Sequence, residues 1–136
     1  MRLSRALLIA CSLFLFAGVV QARKAELVDP APIAIPAGLT PSQVTKEIKR
    51  ALVGRGWEIT TEQPGEIDST LHLREHVARI KVAYDASQVR IAYVDSTNLD
   101  YTDKRGTRYI HPNYLGWIGF LVNDIGTNLK VTAQGG

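Results

Sequence analysis

Cysteine is all but missing from this 136-residue chain: the only one, Cys11, stands in an N-terminal stretch with the marks of a removable leader. If that leader is cut after Ala22, 114 residues without a thiol remain, which excludes disulfides, thiol catalysis and thiolate metal sites together. A strong charge of one sign is missing too. With Arg2 and Arg5 set aside with the leader, 14 basic side chains face 13 acidic ones, so a pI of about 9.2 does not argue for nucleic acid as a partner. Long apolar runs are limited to one, and the chain has no internal repeat, no phosphate-cradling glycine loop and no nucleotide fingerprint. A 46% hydrophobic content over this length predicts one small globular domain with a core of its own.

The single apolar run, Ala6 to Val20, follows two cations and precedes Val20-Gln21-Ala22, the arrangement of a secretory signal peptide over 1–22. Its fifteen or so residues fall short of the roughly twenty that a spanning helix needs, so no transmembrane helix is expected in the mature chain. Leu8-Ile9-Ala10-Cys11 also matches a lipobox, and lipid anchoring through Cys11 is the alternative. Only five apolar residues precede that cysteine, fewer than the roughly seven of a signal core. Either route predicts export, with the periplasm as the expected location.

Residues 23–38, with Pro30, Pro32 and Pro36, read as an extended lead-in that either docks or stays mobile. A domain over 39–131 follows, and 132–136 read as a flexible tail. Thr40, Pro41 and Gln43 supply a cap, a first-turn proline and a capping box, with Leu39 placed to staple onto Val44. Val44, Ile48, Ala51 and Leu52 form the apolar stripe of that helix, leaving Lys46, Glu47, Lys49 and Arg50 for solvent, and Gly54 or Gly56 ends it. The period then becomes alternating. Trp57, Ile59 and Thr61 share a face, Pro64-Gly65 suits a type II turn, and apolar parity runs odd, even and odd through Leu71, Ile80 and Ile91. Turns at 74–77 and 85–87 must make the two switches. From Pro112 to about Lys130, Tyr114, Trp117, Ile118, Leu121, Ile125 and Leu129 recur at helical steps, despite Gly116, Gly119 and Gly126. The predicted fold is an α+β two-layer sandwich of order α-β-β-β-β-α: a four-stranded antiparallel meander with two helices on one face.

Two candidate sites follow. Parity projects His72, Arg74, Arg79, Lys81 and Arg90 from the uncovered sheet face, where they would form a basic patch suited to an anionic polymer or an envelope protein. The second is a cluster of distinctive side chains around Tyr93, Asp95, Ser96, Asn98, His111, Asn113 and Trp117.

Here the chain is similar to a group of small exported proteins and lipoproteins of proteobacteria, of unknown function. The resemblance rests on Gly56-Trp57, the Pro64-Gly65 turn, Tyr93-x-Asp95-Ser96-x-Asn98-Leu99-x-Tyr101, and Ile110-His111-x-Asn113-Tyr114-x-x-Trp117-Ile118, over residues 40 to 130. The chain departs from that pattern at Leu115, where asparagine is common. The resemblance implies an envelope location and this fold, and it brings no catalytic residue.

Asp95, Ser96 and His111 are the residue types of a hydrolase triad, but adjacent strand residues point to opposite faces and no nucleophile elbow surrounds Ser96. Helix and turn capping is the simpler role for these polar groups. His72 and His76 would share a zinc ion only on a helix or if the turn folded His76 back, and Asn98, Asp100 and Asp103 lack the register of a calcium loop. No metal or cofactor is expected. The sequence points to a non-enzymatic binding or accessory module acting through the basic sheet face, with a small-ligand or hydrolytic site around Asp95, Ser96 and His111 as the alternative.

Overall fold

A computed structural model describes residues 24–135, so the expected leader with Cys11 and the final Gly136 lie outside the described residues. The chain runs β1 (Ala25–Glu26), β2 (Ile33–Ala34), α1 (Pro41–Gly54), β3 (Glu58–Gln63), β4 (Glu66–Leu73), β5 (His76–Tyr84), β6 (Gln88–Thr97), β7 (Thr102–Lys104), β8 (Thr107–Ile110) and α2 (Pro112–Gly135). The α+β class and the antiparallel strands agree with the sequence, but the single four-stranded meander does not. β3 to β6 do form a meander, extended by β2 into a five-stranded sheet of order β2-β6-β5-β4-β3, and a second sheet has the order β1-β8-β7. The extra strands are two to four residues long, too short for alternation to mark them.

Helix α1 starts as its sequence dictates. The Thr40 hydroxyl accepts from the Gln43 amide at 3.1 Å while the Gln43 side chain accepts from the Thr40 amide at 2.9 Å, closing the capping box. Glu47 is buried instead of solvated, because position 47 is one turn from both Val44 and Ala51 and so lies on the stripe. Its carboxylate reaches back to Arg50 at 3.5 Å, and its carbonyl accepts from Asn128 of α2.

Pro64-Gly65 makes the β3–β4 turn, with Gly65 at φ +79, as a type II turn requires. Arg74-Glu75 and Asp85–Ser87 make the two parity switches where the apolar pattern placed them. At the second, one Asp85 oxygen accepts from the amides of Ser87 and Gln88 and from the Ser87 hydroxyl, which holds its carboxyl below the usual aspartate range. A bulge between Ile59 and Thr61 turns Thr61 to the outer face, against the expectation that it shares a face with Trp57. There its hydroxyl donates to Asp68 at 2.6 Å.

Ile67 and Leu71 of β4, Ala78, Ile80 and Val82 of β5, and Val89 and Ile91 of β6 face the stripes of both helices in one core, which also takes in Leu27, Leu99 and Ile110. The lead-in is docked: Leu27 is buried, its amide donates to the Arg108 carbonyl, and Ile33 and Ile35 pack against the core. α2 continues through Thr132 to Gly135, so that part of the expected tail is helix.

Candidate functional site

With α1 and α2 on one side, the five-stranded sheet turns its other face outward, where His72, Arg79, Arg90 and Asp95 are exposed. The register places side chains on this face in rows across the strands. Glu58, Thr70, Arg79 and Asp95 form one row, and Thr61, Asp68, Lys81 and Ala92 the next. Opposite charges meet across strands. Arg79 donates to Asp95 at 2.9 Å, and Lys81 approaches Glu66 at 2.7 Å. The Glu66 carboxylate, followed by Asp68, raises the Lys81 pKa. Arg90 lies beside Gln88, whose amide presents its oxygen to the guanidinium in the orientation that satisfies both groups. Arg74 leaves the face altogether, since it occupies the hairpin tip at φ 56. The five cations named from the sequence therefore do not make one basic patch. His72, Arg79, Lys81 and Arg90 share a face whose acids largely neutralise it. Parity told which side His72, Arg79, Lys81 and Arg90 take, but not that Glu66 and Asp95 would pair with Lys81 and Arg79.

The second cluster divides between the two faces. A second bulge, at Val94, lets Ala78 pair with Ser96, Arg79 with Asp95 and Ile80 with Tyr93. Ser96 and Tyr93 thus face inward and share a hydrogen bond at 2.7 Å, while Asp95 faces outward to Arg79. His111 stands just before α2, where Nδ1 accepts from the Asn113 amide at 3.1 Å and the His111 carbonyl from the Tyr114 amide. Its Nδ1 therefore carries no proton in this arrangement. The geometry does not assemble Asp95, Ser96 and His111 into a proton relay: the serine hydroxyl is engaged by Tyr93, and the carboxylate lies across the sheet.

Asn98 adopts φ 57, donates to the Glu75 carbonyl at 2.9 Å and offers its own carbonyl to His76 Nδ1 at 2.6 Å, so that nitrogen carries the proton. Trp117 lies 6.3 Å from the same ring, centroid to centroid. Asn98 and Trp117 thus lock the β4–β5 hairpin onto the start of α2. His72 and His76 point to opposite faces of that hairpin, His72 outward and His76 toward α2, so they share no metal ion. Asp103 accepts from the Gly106 amide and stabilises the β7–β8 turn.

Three tyrosines meet at this end, from β6, the segment before β7 and the first turn of α2. Tyr93 stacks on Tyr101 at 5.0 Å and meets Tyr114 edge-on at 5.5 Å. Burial raises the Tyr114 phenol far above its ordinary range, and raises Tyr93 as well despite the Ser96 hydrogen bond. Sequence reasoning missed Asp29 here. Its carboxylate accepts from the Tyr93 amide at 3.0 Å, satisfying a β6 edge group just beyond the reach of β2. The signal was faint: one acid in a proline-containing lead-in.

Among the described residues no helix is long and apolar enough to cross a membrane. Comparison with protein-family models, with curated proteins and with solved structures gives no match to this chain. Fold and surface define an open-faced α+β sandwich, and its role must be argued from its own chemistry.

Proposed function

We propose that this is an exported, non-enzymatic binding module of the cell envelope, engaging a protein partner through the open face of its five-stranded sheet. The leader over 1–22 and the resemblance to exported proteobacterial proteins support the location. The single observation that carries the binding reading is the outer sheet face, built from cross-strand charge rows and left to solvent while both helices cover the other side. Because Arg79 and Lys81 are paired with Asp95 and Glu66, the partner that fits is a protein surface of mixed charge and not an anionic polymer. The catalytic alternative is disfavoured by the separation of Asp95 from Ser96 across the sheet.

Site-specific photo-cross-linking in the native envelope tests this reading. A benzophenone side chain at Ala92 or Thr97, on the outer face, is expected to capture one defined protein. The same group at Asn123, exposed on α2, is expected to capture none. Equal capture at all three positions, or capture at Asn123 alone, refutes the sheet face as the binding surface.

A further inference from the structure

One hollow in the described structure belongs to neither site anticipated from the sequence. It is a basin of about 480 Å3 between the first turn of α1 and the β3–β4 turn, lined by Pro41, Thr45, Glu62, Gln63, Pro64 and Tyr84. That size lies within the range of ligand-binding clefts. Two recesses adjoin it, one past Lys46 and Lys49 and one past Leu39 and Val44.

The hydrogen-bond inventory of the lining is one-sided. The Thr45 hydroxyl donates its proton to the Pro41 carbonyl at 2.9 Å, and it lies 2.6 Å from the Tyr84 hydroxyl. Threonine has one hydroxyl proton, so the proton between the two hydroxyls is the one Tyr84 donates. Tyr84 Oη is left as an acceptor only. Lys49 binds Glu62 Oε2 at 2.8 Å, which leaves Oε1 as a second acceptor, and the exposed Gln63 amide supplies both polarities. A fitting ligand brings donors of its own. Lys46 and Lys49 at the margin disfavour a cationic ligand, and Glu62 with the nearby carboxylate of Asp85 disfavours an anionic one. Between these polar groups lie the apolar surfaces of Pro41, Pro64 and the Tyr84 ring.

Hydroxyl donors, no net charge and an apolar C–H face describe a sugar. We propose that this basin is a saccharide-binding site for a neutral glycan. The proposal is independent of the sheet-face reading, because the basin opens on the helix-bearing side of the sheet. Gly65 belongs to the design: a Cβ there would stand 3.1 Å from the Tyr84 carbonyl oxygen, so only glycine lets the turn close against the Tyr84 backbone.

The test is a 1H–15N NMR titration of the full chain with chitotetraose, maltotetraose and tetragalacturonate. The expected result is saturable shifts of the Thr45, Gly65 and Tyr84 amides with at least one neutral tetrasaccharide, and weaker or no response to the anionic one. Tyr84→Phe keeps the ring and removes the acceptor, and it should weaken binding about tenfold, the loss of one good hydrogen bond. Gln63→Ala, at an exposed position, should weaken it several-fold without touching the fold, and it decides the matter if Tyr84→Phe does not fold. No saturable shift with either neutral sugar, tighter binding of tetragalacturonate, or affinity indifferent to both substitutions would each overturn the proposal.

Discussion

Replacing Gly65 by alanine tests the turn on which the basin and the β3–β4 hairpin both depend. Two costs are separable there. The first is conformational: φ of +79 is left-handed backbone, which costs a residue with a Cβ about 1 kcal/mol or somewhat more. The second is steric, because the new Cβ would meet the Tyr84 carbonyl oxygen at 3.1 Å, and that oxygen is backbone with little freedom to retreat. The Tyr84 amide already donates to the Gly65 carbonyl at 2.9 Å, so moving one strand end strains the other. Overpacking of this kind adds about 1 kcal/mol or more. Gly106 is the internal control, since it has φ +87 but nothing within 4 Å of its Cβ position, and it bears the first cost alone. Gly65→Ala should therefore destabilise by about 2 kcal/mol and Gly106→Ala by about 1. Urea unfolding followed by tryptophan fluorescence reads both, and with a slope near 2 kcal/mol per molar the two midpoints should stand about 0.5 M apart. Equal losses at the two sites would refute the steric argument and the close approach of the turn to Tyr84.

The α2 glycines should behave oppositely: Gly116 and Gly119 are exposed in the helix with nothing within 4 Å of a Cβ, so Gly119→Ala should stabilise by up to about 1 kcal/mol in the same assay. Burial raises Tyr114 and Tyr93, so the folded state holds these protons more tightly than the unfolded chain does. Their contribution to stability is intact below the ordinary phenol pKa of about 10 and falls as pH rises above it, so ultraviolet titration should show the Tyr114 phenolate appearing only as the protein unfolds. His111→Ala removes the acceptor for the Asn113 amide and should cost about 1 kcal/mol while the fold, read by circular dichroism, persists. If the proposed export holds, N-terminal sequencing of the protein recovered from the envelope should begin at Arg23, and an acylated N-terminal Cys11 would instead establish lipid anchoring.

What the sequence disclosed follows the range of the forces involved. The α1 start was legible because its capping box closes over three residues, and the β4, β5 and β6 parities were legible because each strand exceeds seven residues with one face buried. The bulges at Thr60 and Val94 were not, since one extra residue in a ladder leaves no compositional mark, yet they decide that Thr61 meets Asp68 and that Ser96 shares the inward face with Tyr93. Glu47 was misplaced because a second helix beside α1 widens the buried stripe to include it. The basin escaped notice for a similar reason. Pro41, Gln63 and Tyr84 lie far apart in the chain, and the proton count that gives them meaning depends on a 2.6 Å contact no spacing rule predicts.

The outer sheet face shows most clearly how topology changes the meaning of a charge. Along β5, Arg79 and Lys81 read as the centre of a basic stripe, and composition alone would assign them to an anionic partner. The antiparallel register sets β4 on one side and β6 on the other, and each brings carboxylates into the same rows. Such exposed pairs add little stability, so folding energy alone gives weak reason to build the pattern. Its effect is on recognition. A face with alternating signs exerts little field at a distance, gains little from electrostatic steering, and discriminates only when a partner of complementary pattern is in register with it. Binding there should depend weakly on salt in its association rate and strongly on the identity of individual side chains, opposite to what a basic patch on a polyanion would display.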